Sequence, residues 1–110
     1  ERLDVVLLGL GEDGHTASLF PGRPEVEITD TRVVAAFGPK PPPQRISLSL
    51  GAINSARHVG FLVSGAGKAE VLASVLEARR THATTYPSAR VKPMAGEVLF
   101  FVDDAAASAI

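Results

Sequence analysis

The chain has no cysteine and no tryptophan among its 110 residues. Without cysteine there is neither a disulfide framework nor a thiolate metal site, which fits a reducing, cytoplasmic setting. No apolar run approaches the ~20 residues needed to cross a bilayer, and no signal-peptide pattern opens the chain. Strong charge of either sign is also missing, since 11 Lys and Arg stand against 12 Asp and Glu for a net charge of −1. With no basic block and no interleaving of aromatic and basic residues, nothing points to a nucleic-acid partner. There is no internal repeat and no low-complexity tract. What remains is an ordinary globular composition, 45% hydrophobic, sized for one α/β domain or part of one over residues 1–110. Glu1-Arg2-Leu3-Asp4 runs straight into an apolar strand without an initiator methionine. The chain is therefore expected to be a piece of something longer.

Leu3 to Leu8 is a nearly continuous apolar run ended by Gly9, the pattern of a strand buried on both faces of a parallel sheet. Arg32 to Phe37 predicts a second strand, and Pro39, Pro41, Pro42 and Pro43 a stiff extended loop. Arg45 to Ser49 alternates polar and apolar and predicts a strand end, followed by a short helix near Leu50 to Ala56. Val59 to Val63 is another buried strand, and a helix is expected over about Lys68 to Arg80. Val71, Leu72, Val75 and Leu76 form its apolar stripe, and Arg79 and Arg80 suit its C-terminal end. A turn-rich stretch, a last strand over Glu97 to Val102, and an alanine-rich helix capped by Asp103 or Asp104 complete the pattern. Strands alternating with helices argue for a layered α/β sheet.

Between the first strand and Pro21-Gly22 lies Gly9-Leu10-Gly11-Glu12-Asp13-Gly14-His15. Glycines so dense suggest a backbone approached closely by a ligand, or one forced to positive φ. Gly9-x-Gly11-x-x-Gly14 formally matches the dinucleotide fingerprint. That motif needs a long helix after its third glycine and an acid at the end of the next strand. Pro21-Gly22 cuts any helix short, and Glu27 and Asp30 both precede the second strand, so NAD or FAD is not expected. The alternative is a catalytic turn in which His15, opening a short helix, is kept neutral by the helix dipole and acts as a general base. Asp13 then holds the imidazole tautomer or binds a substrate hydroxyl. The plain structural alternative has Asp13 capping the helix and His15 packing beside the glycines.

Ser64-Gly65-Ala66-Gly67-Lys68 is a second strand-to-helix turn, rich in free amides and suited to an anion. Lys68 opposes the helix dipole there, a conflict that a bound anion would resolve; the alternative is that it extends into solvent. Val63 and Ala69 break the Walker A pattern. Arg45, delivered to a strand end by the proline loop, is a candidate phosphate contact, although alone it equally suits the surface. His58, His82, Arg90 and Lys92 have no constellation around them and are expected to be structural or solvated. The histidines show no carboxylate at ligand spacing, so no metal site is expected.

The stretch from Asp4 to Gly22, centred on Asp13-Gly14-His15-Thr16-Ala17-Ser18-Leu19-Phe20-Pro21-Gly22, resembles the signature of the 6-phosphogluconolactonase family. Arg45-Ile46-Ser47-Leu48 with Ile53-Asn54, Phe61 to Lys68, and Val98 to Ala106 are similar to the family as well. The related glucosamine-6-phosphate deaminases share the Gly-x-Asp-Gly-His core but continue differently where this chain has Ala17-Ser18-Leu19-Phe20-Pro21. The resemblance implies a Rossmann-like parallel α/β fold (NagB/RpiA/CoA-transferase-like), of which this chain is the C-terminal part. It implies hydrolysis of 6-phosphogluconolactone in the oxidative pentose phosphate pathway, with no metal and no cofactor. Under it His15 is the base that activates water, and Arg45 and Lys68 contact the substrate phosphate. The amides of the turn that holds Gly11 and Gly14 are further expected to face the oxyanion. The missing half would leave an exposed sheet edge, inviting self-association or pairing with that half. Two other readings stay open: a deaminase-isomerase on an amino-sugar phosphate, and a phosphosugar-binding module without catalysis.

Overall fold

The structure, a computed structural model, describes residues 2–110. Alternation decides how its first strand sits. In β1 (Val5–Leu8), Val6 and Leu8 are buried while Val5 and Leu7 face outward. β1 pairs in parallel with the later strand His58–Val63, which pairs in parallel with the last strand, Glu97–Val102. Between β1 and His58–Val63 come β2 (Val33–Phe37), β3 (Gln44–Leu48) and the short helix α1 (Leu50–Asn54). The parallel strands are therefore β1, β4 and β5, in the order β1-β4-β5. A 310 turn over Ala66–Lys68 runs from β4 into α2 (Ala69–Thr81).

Register lines up the core. Val6, Val59 and Val98 lie abreast, as do Leu8, Phe61 and Phe100, and Phe61 stacks on Phe100 with ring centroids 4.7 Å apart. From α2, Val71, Leu72, Val75 and Ala78 enter the same buried cluster. Fully burying a side chain such as Leu72 or Phe61 contributes roughly 1.5–3 kcal/mol. Arg79 donates to the Val91 carbonyl at 2.5 Å, and Arg80 pairs with Glu77. His82 ends α2 in the left-handed conformation at φ 59°, where its amide donates to Ala78.

Five expectations are corrected. The sheet is buried on one face only: Leu7, Leu62, Leu99 and Phe101 are about half exposed, because nothing among the described residues packs over them. β2 and β3 do not join the parallel sheet but form an antiparallel ribbon. The proline segment folds back instead of extending, with the Gly38 amide donating to the Pro43 carbonyl. No helix follows His15, where Leu19 donates to the Thr16 carbonyl and Ala17 takes φ 50°. The Thr16 hydroxyl donates back to the Gly9 carbonyl and holds this segment as successive turns. At the far end Asp103 does accept from the Ala106 amide, but turns follow it. Only Ala107 reaches back four residues there, too little to propagate a helix.

Candidate active site

The C-terminal ends of β1, β4 and β5 point to one edge of the sheet, where open α/β sheets build their sites. Each end releases a loop, and polar contacts tie the three together. Lys68 Nζ, after β4, donates to the Leu10 carbonyl, after β1, at 2.6 Å. The Gly65 amide donates to both carboxylate oxygens of Asp103, after β5, at 3.1 and 3.2 Å.

The loop after β1 closes on itself. Gly11 donates to the His15 carbonyl and Gly14 to the Gly11 carbonyl, both at 2.9 Å. The Gly14 carbonyl accepts from the buried Ser88 twice, from its hydroxyl at 2.8 Å and its amide at 3.2 Å. Ser18 donates to Ser47 Oγ on β3. The glycines are explained by these neighbours. A Cβ on Gly11 would lie 2.0 Å from His15 Nδ1, and one on Gly14, at φ 86°, would lie 2.2 Å from the Tyr86 ring. The close approach expected of a ligand is thus made by the protein's own side chains. The Gly11 and Gly14 amides are spent inside the turn, so an oxyanion there has to be met by other donors.

His15 sits at the centre. Asp13 Oδ1 accepts from the His15 amide at 3.0 Å and lies 2.5 Å from Nδ1. A proton on Nδ1 shared with that carboxylate leaves the Nε2 lone pair free. Nε2 has no hydrogen-bond partner among the described residues and is not buried. Burial works against ionisation of Asp13, but the amide and imidazole of His15 outweigh it and hold the carboxyl below its usual range. This arrangement replaces the helix-dipole argument. The imidazole is oriented by a carboxylate two residues away, with Phe20 against its other side at 4.4 Å between ring centroids.

Arg45 reaches the same cluster through Phe20. Its Cζ lies 5.1 Å from the Phe20 centroid, while Nε and Nη2 donate to the carbonyls of Pro42 and Lys40 at 3.0 and 2.9 Å. Lys68 neither points freely into solvent nor awaits an anion unpartnered, since it bridges two loops. A Cβ at Gly65 or Gly67 would meet nothing within 4 Å, so this backbone stays open to a ligand. Beside Asp13 a cleft of about 570 Å³ runs between Phe20, Phe37 and Tyr86.

The remaining polar candidates are paired with other side chains. His58 lies 2.8 Å from Glu97, His82 3.0 Å from Lys92, and Arg90 forks onto Glu27 at 2.7 and 2.9 Å. These partners were not anticipated from the sequence. Neither were Ser88, Tyr86 and Asp103 as supports of the two glycine turns, because each acts across a long stretch of chain. Only Asp103, at the end of a strand, carried a local signal.

A parallel sheet with a carboxylate-held histidine and an open glycine turn at its C-terminal edge defines a class: open α/β proteins whose sites lie beyond the strand ends. Residues 1–100 match the model of glucosamine-6-phosphate isomerases/6-phosphogluconolactonase, and the chain belongs to that family. It is 45% identical over 106 residues to 6-phosphogluconolactonase of Rattus norvegicus, a match that covers 94% of this chain and 40% of that one. A solved structure of 6-phosphogluconolactonase from Trypanosoma brucei superposes with a TM-score of 0.80 at 39% identity, covering 96% of this chain and 41% of that one. Another, of devB protein, gives a TM-score of 0.88 at 34% identity, covering 99% and 45%. The chain thus spans about 40% of the length of the curated relatives it matches. No helix among the described residues is long and apolar enough to cross a membrane.

Proposed function

We propose that residues 1–110 carry the base and part of the phosphate site of an enzyme that hydrolyses 6-phosphogluconolactone to 6-phosphogluconate, a cytoplasmic step of the oxidative pentose phosphate pathway. The observation that carries this reading is the Asp13–His15 pair, with its Nε2 left free at the C-terminal edge of the sheet. A pure binding module has no use for an oriented base. In the reaction Nε2 takes a proton from water as its oxygen attacks the lactone carbonyl. When the ring C–O bond breaks, the imidazolium returns the proton to the leaving oxygen. Asp13 holds Nδ1–H throughout. Lys68, Arg45 and the Ala66 and Gly67 amides meet the phosphate. Gly11 and Gly14 serve by giving room to His15 and Tyr86. The chemistry requires neither metal nor cofactor, because an activated ester yields to base-assisted water.

The exposed row of Leu7, Leu62, Leu99 and Phe101 supports pairing of this sheet with the rest of a longer enzyme, or with a second copy. Native mass spectrometry of the chain should show species heavier than a monomer; a clean soluble monomer counts against this part.

The function is tested by the rate of lactone loss above spontaneous hydrolysis, for the chain and for His15→Ala. The chain is assayed alone and with the remaining segment of a relative supplied in trans. Activity abolished by the substitution supports the reading. Activity that survives His15→Ala overturns the assigned base. Absence of lactone loss in both settings, with phosphate still bound, returns the chain to the phosphosugar-binding reading. Ammonia released from glucosamine 6-phosphate would move it to the deaminases.

A further inference from the structure

Phe20 contacts both of the groups that the proposed function assigns to different tasks. Its ring lies 4.4 Å from the His15 ring, tilted by 35°, and 5.1 Å from the Arg45 guanidinium carbon. Phe20 is only 4% exposed. Gly38 completes the contact from beneath: a Cβ there would lie 2.9 Å from Arg45 and 3.0 Å from Phe20, so both side chains pack onto bare backbone. Other supports act on one group at a time. Asp13 fixes only His15, and the Pro42 and Lys40 carbonyls fix only Arg45. An aliphatic residue would fill the same space, but it offers no π-face to a guanidinium and no flat partner for an imidazole.

We infer that Phe20 is a positioning residue that holds the base and the phosphate anchor as one unit. This rests on the functional reading for the roles of His15 and Arg45, though the shared contact does not depend on it. Because the ring touches both, movement of the guanidinium onto an anion is felt at the imidazole. A misplacement of about 1 Å at such a centre costs about 10²-fold in rate, so one ring in common limits the error at both ends.

The test follows the His15 ring signals by NMR in the chain and in Phe20→Leu, Phe20→Tyr and Arg45→Ala, with inorganic phosphate as the probe. Unchanged amide dispersion verifies each fold, and Phe20→Met replaces the leucine variant should that one unfold. In the chain and in Phe20→Tyr, phosphate is expected to move the His15 Cε1–H signal, and the low-field Nδ1–H signal is protected from exchange. In Phe20→Leu the phosphate response disappears, phosphate affinity falls about tenfold, and the Nδ1–H signal broadens. Arg45→Ala loses the phosphate response but keeps the Nδ1–H signal. A leucine or methionine variant that keeps both the phosphate response and the protected Nδ1–H overturns the inference, leaving Phe20 as packing alone. If the chain binds no phosphate, the phosphate site of the proposed function fails. The Nδ1–H signal, lost in leucine and kept in tyrosine, then decides the role of Phe20 by itself.

Discussion

Two glycine-rich turns leave the same edge of one sheet, and they use their glycines in opposite ways. After β1, the missing side chains of Gly11 and Gly14 make room for the protein itself, His15 in one case and Tyr86 in the other. After β4, Gly65 and Gly67 face open space. Each turn is held by one aspartate: Asp13 grips the His15 amide and imidazole, and Asp103 grips the Gly65 amide. The first turn is filled and rigid, as a base-holder must be. The second is fixed at its start and then left bare, as an anion site must be. A glycine therefore signals close approach without saying what approaches, and only the surrounding structure separates the two cases.

Alanine placed in each turn breaks the contrast most sharply. Gly11→Ala drives a methyl into the His15 ring and should cost roughly 10²–10⁴-fold in lactone hydrolysis, as if the base were removed. Steady-state rates beside His15→Ala check this. Gly14→Ala meets both an unfavourable φ and the Tyr86 ring, and should lower stability by about 3 kcal/mol in urea denaturation. Asp13→Asn keeps the shape but lets the amide favour the wrong imidazole tautomer. Its rate should fall about 10²-fold while binding of phosphate is retained. In the open turn the effect is smaller and of another kind. Gly67→Ala should leave stability within about 0.5 kcal/mol and weaken phosphate binding, measured by calorimetry.

The least effect is expected from acid. The Asp13 carboxyl is held below its ordinary value of 3.8 because the amide and imidazole of His15 outweigh the opposing cost of burial. That of Asp103 is held below 3.8 by the Ala106 and Gly65 amides. Carboxyls depressed in the folded state contribute stability that is present above the unfolded value and is lost as pH falls through the folded one. Burial opposes ionisation of Glu25, but Arg23 and the Phe37 amide hold its carboxyl below 4.5, in the same sense, so thermal melts should decline as pH falls below about 5. Asp13→Asn and Asp103→Asn should each flatten that decline.

The parallel core was legible because its signals are local. An apolar run ended by Gly9 marked β1, one leading into the Ser64–Gly67 turn marked β4, and the Val71–Leu72–Val75 stripe marked α2. The β2–β3 ribbon was misassigned because pairing direction is set by the Gly38–Pro43 turn, which the proline count made look extended. The helix expected after His15 failed on a contact seven residues back, Thr16 to Gly9. Of the site, the Asp13–His15 pairing was one of the alternatives the sequence left open, and the structure shows it. Ser88, Tyr86 and Phe20 were not, since each acts through side-chain contacts that no local pattern encodes.

The most direct test of the contrast is an amide-resolved NMR titration of the chain with inorganic phosphate. The predicted result is that the largest amide shifts fall on Ala66, Gly67 and Lys68, while Gly11 and Gly14, bonded within their own turn, stay nearly still. Largest shifts at Gly11 and Gly14, with Ala66 and Gly67 unmoved, would contradict it.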